Sequence, residues 1–320
     1  DADLLYVVNS NSDLRFNAGT IAAVDLGRAR AALAEAAVKP VCSKTRFSRT
    51  EPVDDHYCCR DLVDSNILNC NEPQFVQADA TVSLGRFASA LTLQPFVRSD
   101  GASVRRLFVA VRAEPSITFA DVTVAGGVAS IRCTGPRLDG SGPQAPGAYC
   151  DDNWRLRRPS GSKAGALVLP EEPHLLALDN TYGALYVGHL TVSANNQVQG
   201  GGVSAIDICH PETEPSVRFA GRARTTFLPA TLSQAVAGLS PAERVDSSVR
   251  LYATARYSAA ISGLALRDPT QPVCTCPPEE PDCERAAPGQ ERDLTMVPAE
   301  AFLAPTFLPH GSEVHGMVLS

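Results

Sequence analysis

A two-part unit that occurs four times constrains this chain's fold more than any other feature. Its first part is an apolar run: Leu5-Tyr6-Val7-Val8, Leu107-Phe108-Val109-Ala110, Leu185-Tyr186-Val187-Gly188 and Leu251-Tyr252-Ala253-Thr254. Its second part follows after a loop: Ile21 to Leu26, Ile117 to Val122, Val203 to Ile208 and Ile261 to Leu266. Asp25, Asp121 and Asp207 fall at one place in three of these second parts. Internal repetition of this kind sets the architecture before any local preference does. The leading leucines are 102, 78 and 66 residues apart, so loops of unequal length separate constant strands.

Both parts read as short strands rich in Val, Ile, Leu, Thr and aromatics, cut by Gly, Pro, Asn and Asp. A further strand is expected before each Leu-aromatic run, at Ser89 to Leu93, at His174 to Leu178 and, as the last such element, at Val314 to Leu319. Val217 to Ala220 is a candidate fourth strand. Arg28 to Val38 is the one stretch of strong helix formers, and Pro241 to Arg244 could start a brief helical turn. Three to four antiparallel strands per unit is the pattern of a propeller blade. The expectation is an all-β fold: a single β-propeller domain over 1–320 with at least four recognisable blades. Long insertions near 40–80, 133–165 and 268–300 interrupt it.

Leu5-Tyr6-Val7-Val8-Asn9 followed by Gly19-Thr20-Ile21-Ala22-Ala23-Val24-Asp25-Leu26 resembles the YVTN-type β-propeller repeats of bacterial secreted and surface proteins. Residues 5 to 26 match best, residues 185 to 208 match well, and the other two units match in outline. The resemblance implies a propeller scaffold in an extracytoplasmic setting and no particular activity. On this reading the chain starts on the second strand of a blade and stops on a first strand. Either Val314 to Leu319 pairs with the N-terminal blade and closes a ring, which removes sticky sheet edges, or the chain is part of a longer propeller. The opening Asp1, without an initiator Met, points to a processed form or a portion of something longer.

Ten cysteines at positions 42, 58, 59, 70, 133, 150, 209, 274, 276 and 283 are many for an intracellular protein of 320 residues. Their even number and their placement in or beside Pro/Gly/polar stretches suit disulfides that staple loops in an oxidising compartment. Cys133 and Cys150 bracket a Gly/Pro-rich loop and are expected to pair. Cys42, Cys58, Cys59 and Cys70 are expected to form two bridges, and Cys209, Cys274, Cys276 and Cys283 two more; connectivity within each group stays open. The scarcity of Lys against Arg and the lack of an Asn-X-Ser/Thr sequon favour a bacterial periplasm or cell surface.

A net charge of -7 argues against a nucleic-acid partner, because phosphate contact needs clustered Lys and Arg. The densest basic group, Arg155, Arg157 and Arg158, reads as a solvated strand face or loop. No apolar run approaches the roughly 20 residues of a membrane span. Oxygen-bearing side chains at Asn9, Asn11, Asp13 and Asn17 make a calcium candidate, since calcium takes six to eight oxygen ligands. The same residues also build turns by bonding nearby backbone, and position 20, where a bidentate acid would complete a calcium loop, is Thr. No other cofactor is expected. The recurring Asp positions read as structural caps at strand ends. His56 beside Cys58, Cys59 and Cys70 could form a metal group, but disulfides suit that compartment better.

No nucleophile elbow, P-loop or dinucleotide fingerprint is present. Three function classes follow. The first is a non-enzymatic extracytoplasmic module that binds other proteins through its loop insertions. The second is a lactonase- or lyase-like propeller enzyme with an axial, metal-assisted site. The third is a structural subunit of a large surface assembly.

Overall fold

The computed structural model describes residues 3–10, 18–36, 58–61, 63–64, 66–70, 74–97, 101–133, 149–150, 154–156, 169–190, 193–194, 197–198, 201–210, 224–227, 236–241, 249–255, 260–274, 285–287, 290 and 292–303. Among them, short apolar runs cut by turn residues form antiparallel strands in four larger sheets and two small hairpins.

In sheet 1, β1 (Leu4–Asn9) pairs with β2 (Gly19–Asp25). Asp25 then caps helix α1 (Leu26–Ala36), its Oδ1 accepting from Arg28 N at 2.9 Å. The cap places the helix two residues earlier than its helix formers alone suggest. A small hairpin, β3 (Cys58–Arg60) with β4 (Leu68–Cys70), follows. The chain returns to β2 as β5 (Val76–Leu84), whose start lies inside the expected insertion at 40–80.

Sheet 2 runs β6 (Ala88–Val97), β7 (Ser103–Val111) and β8 (Ser116–Ala125). Both β9 (Val128–Arg132) and β10 (Arg155–Leu156) pair with β8. Sheet 3 runs β11 (Pro173–Asp179) and β12 (Ala184–His189), passes the hairpin β13 (Ser193–Ala194) and β14 (Gln197–Val198), then adds β15 (Gly202–Asp207) and β16 (Arg224–Phe227). Sheet 4 is β17 (Val236–Pro241), β18 (Val249–Ala255), β19 (Ala260–Leu266) and β20 (Met296–Leu303).

Each sheet is therefore a consecutive meander, built around one Leu-aromatic strand paired with the second strand of the repeat. The fourth strand of sheet 3 is β16, seven residues beyond the candidate at Val217, because it is 224–227 that meets β15. Pro241 is the last residue of β17. Positions 217–220, 242–244 and 314–319 lie outside the described residues.

The sheets stack in chain order. β1 neighbours β6, β6 neighbours β11, and β11 neighbours β17. Strand alternation gives each sheet two apolar faces. In sheet 3, Leu185, Val187, Ile206 and Ile208 join the core shared with sheets 1 and 2. Ala184, Tyr186, Val203 and Ala205 join the core shared with Leu251, Ala253, Leu264 and Leu266 of sheet 4. In sheet 3 the repeated Leu position thus faces the preceding sheets, and the aromatic position faces the following one.

Candidate functional site

Among the described residues, a dense buried polar group lies where sheet 4 clasps sheet 3. The chain between β19 and β20 reaches back across the turn after β11. Cys274 bonds Cys209, and Cys274 N donates to Thr181 O at 2.9 Å. Further along, Arg292 enters the same place with its side chain fully buried against Asp207. Its Nε donates to Asp207 Oδ2 at 3.0 Å and its Nη2 to Oδ1 at 2.6 Å, a bidentate pair. The remaining guanidinium protons go to the carbonyls of Gly183 and Pro272, each at 3.2 Å, and of Tyr182. Asp207 Oδ1 also accepts from Cys209 N at 3.0 Å.

Gly183 makes this close approach feasible. Its φ is +56°, and a Cβ there would collide with Cys274 Sγ and lie 2.8 Å from Cys209 Cα. Beside the clasp, Asp179 Oδ1 accepts from Tyr182 N at 3.0 Å, and Arg250 stacks 4.3 Å over the Tyr182 ring. Burial raises the Asp179 carboxyl above its ordinary value, opposed by the Tyr182 N–H and the Arg250 charge. Burial, and the Asp179 charge after it, pushes the Tyr186 hydroxyl well up. The Asp207–Arg292 pair thus sits beside Asp179 and Arg250, whose charges act on each other across the Tyr182 turn. Such a group locks two sheets together; its atoms are committed to each other.

Two more buried arginines are satisfied in the same way. Arg106 meets Asp121 across the β7–β8 pair at 2.7 and 3.0 Å and lies between the rings of Phe96 and Phe119. Arg155 meets Glu114 and the Tyr149 hydroxyl and donates to Cys150 O at 3.1 Å. Arg155, expected on a solvated face, is therefore buried. Neighbouring Trp154 packs edge-on against Phe119. The three recurring Asp positions do different jobs: Asp25 caps a helix, Asp121 pairs across a strand, and Asp207 anchors the clasp.

His189 and Ser204 form a pair the sequence did not signal. Glu171 O can only accept, so His189 Nδ1–H donates to it at 3.0 Å, and Nε2 accepts from the Ser204 hydroxyl at 2.9 Å. The connectivity is that of a base and a nucleophile, but both residues are completely buried. Burial holds the imidazole neutral and lowers its pKa to about 4. The pair ties β12 and β15 to the loop before β11.

Among the expected site residues, Asn9 ends β1, while Asn11, Asp13 and Asn17 lie outside the described residues. Among the described residues no three of His, Cys, Asp and Glu gather as metal ligands. Cys133 bonds Cys150, and Cys58 bonds Cys70. Cys58 and Cys70 stand opposite each other on β3 and β4, strands rather than loop flanks. Cys59 is on β3, and Cys42, Cys276 and Cys283 lie outside the described residues.

The β3–β4 hairpin presents exposed aliphatic side chains at its tip. Its base packs through Cys58 and Phe75 on Ala32 of α1. Its tip is fixed by Asp61, which accepts from Val63 N at 2.8 Å, Asp64 N at 3.2 Å and Asn69 Nδ2 at 2.7 Å. These bonds, Val63 N foremost, hold the Asp61 carboxyl below its ordinary range. The tip presents Val63, 94% exposed, and Ile67, 52% exposed.

Fold and site together define an antiparallel all-β protein of four successive sheets, with buried Arg–carboxylate pairs and disulfide-closed loops. Neither a family model nor a curated protein matches the chain. Among the described residues no helix is long and apolar enough to cross a membrane.

Proposed function

We propose that this chain is a β-propeller of the YVTN type that works outside the cytoplasm as a protein-binding module. The observation that carries this reading is the β3–β4 hairpin. A disulfide, an Asp61-centred turn and a small apolar base hold Val63 and half of Ile67 out in water, where the exposed part gains nothing for folding. Rigid presentation of apolar groups lowers the ordering cost of association, and binding residues concentrate on loops held by a scaffold. The consecutive four-sheet meander and its chain-order stacking support the propeller. The three disulfides support an oxidising compartment, the periplasm or surface of a bacterium on the compositional grounds above.

The test is chemical cross-linking in the native compartment, with wild type and Val63→Asp/Ile67→Asp compared. Both substitutions lie on exposed side chains, so the fold is unchanged. A cross-linked protein partner retained by wild type and lost by the double variant is the expected result. Identical cross-linking by both would refute the assignment to the hairpin.

A further inference from the structure

Tyr186 is completely buried in the core between sheets 3 and 4. Strand register surrounds it with small side chains. Ala177 and Ala205 stand opposite it on β11 and β15, and Ala184 lies two residues away on its own strand. Ala253 of sheet 4 belongs to the same core. The neighbouring row of sheet 3 is Asp179, Ala184 and Asp207. Both carboxylates are therefore diagonal neighbours of Tyr186 on one face of the sheet, within reach of an aromatic side chain.

The two diagonals differ. Arg292 engages both oxygens of Asp207. Asp179 accepts from the N–H groups of Tyr182 and Thr181, and a carboxylate has room for about four such bonds. Asp179 is also the charge that acts most strongly on the Tyr186 hydroxyl. Among the described residues that hydroxyl is an inaccessible polar atom with no hydrogen-bond partner. A buried hydroxyl left in that condition is costly, and native interiors satisfy such groups with ordered water where the surroundings are polar.

We propose that one internal water molecule binds between Tyr186 and Asp179, accepting the Tyr186 Oη–H and donating to the Asp179 carboxylate. Two O–H···O bonds of about 2.8 Å let it span about 5.6 Å, which suits side chains at a diagonal separation of about 7–8 Å. Two bonds lie within the range of about 2–4 that internal waters make. The alanines around the ring leave room for it. The row thus ends in a guanidinium at Asp207 and in a water at Asp179.

Tyr186→Phe keeps the ring and removes the hydroxyl. Oxygen-17 relaxation dispersion on the full chain counts long-lived internal waters, and the variant should hold one fewer than wild type. Its urea midpoint should fall by about 0.3 M, the loss of one satisfied hydroxyl. An unchanged water count would overturn the proposal. So would a midpoint equal to or above that of wild type, because removing an unsatisfied hydroxyl relieves a penalty instead of breaking a bond.

Discussion

Replacing Asp207 by Asn tests the clasp between sheets 3 and 4. The substitution keeps the shape and leaves an oxygen for Cys209 N, but removes the charge that faces Arg292. Both partners are essentially inaccessible, with side chains 1% and 0% exposed. The guanidinium would keep its carbonyl acceptors at Gly183, Pro272 and Tyr182 and lose its counter-charge in a dry site. Stranding one partner of a buried pair costs about 3–5 kcal/mol. With a urea m-value of about 3 kcal/mol/M for a chain of this size, the midpoint should fall by about 1–1.7 M. Urea titration with disulfides intact, followed by circular dichroism at pH 7, measures it. Asp207→Asn/Arg292→Met removes the stranded charge and should recover at least half of the loss. An Asp207→Asn midpoint within about 0.2 M of wild type would refute the reasoning, as would a double variant that loses the sum of both singles.

Three further outcomes follow from the same structure. His189 is neutral in the fold with a pKa of about 4, against 6.5 for the free group, so below pH 6.5 the unfolded chain binds the extra proton. Stability should be full above pH 6.5 and decline by about 3 kcal/mol as pH falls to about 4; urea midpoints across that range should show the slope in wild type and a shallower one in His189→Gln. Gly183→Ala should cost about 2 kcal/mol or more, because left-handed backbone and a collision with Cys274 act together. Gly101→Ala, at φ +80° with open space around it, should cost only about 1 kcal/mol, and thermal melting of the two compares them. Replacing Cys133 and Cys150 together by Ala should cost about 3 kcal/mol, since the bond closes a separation of 17 residues; a denaturation midpoint equal to wild type would contradict this.

The strands were legible where local pattern and burial coincide. Leu107-Phe108-Val109-Ala110 is apolar on both faces because sheets lie on both sides, so a continuous run marks it without ambiguity. His174 to Leu178 is a weaker signal, since most of its side chains are only partly buried. Val217 to Ala220, outside the described residues, and Arg224 to Phe227 are equally strand-like in sequence, and pairing with β15 is what identifies the second as β16. The clasp was hidden for a different reason. Asp207 and Arg292 are 85 residues apart, and nothing in a sequence says which of many arginines is buried against which acid. Arg155 was misjudged on the same ground: a cluster of arginines looks solvated until Glu114 and Tyr149 arrive from elsewhere. Cys58 and Cys70 were legible as bridge-formers, but their position on facing strands depends on a turn that Asp61 organises.

Hydrogen exchange of the full chain, with and without its cross-linked partner, tests the binding-module account most directly. Protection should concentrate in residues 58–70 and leave β6, β11 and β17 unchanged. Protection centred on those three strands, together with turnover of a small molecule, would contradict it and favour the enzyme reading.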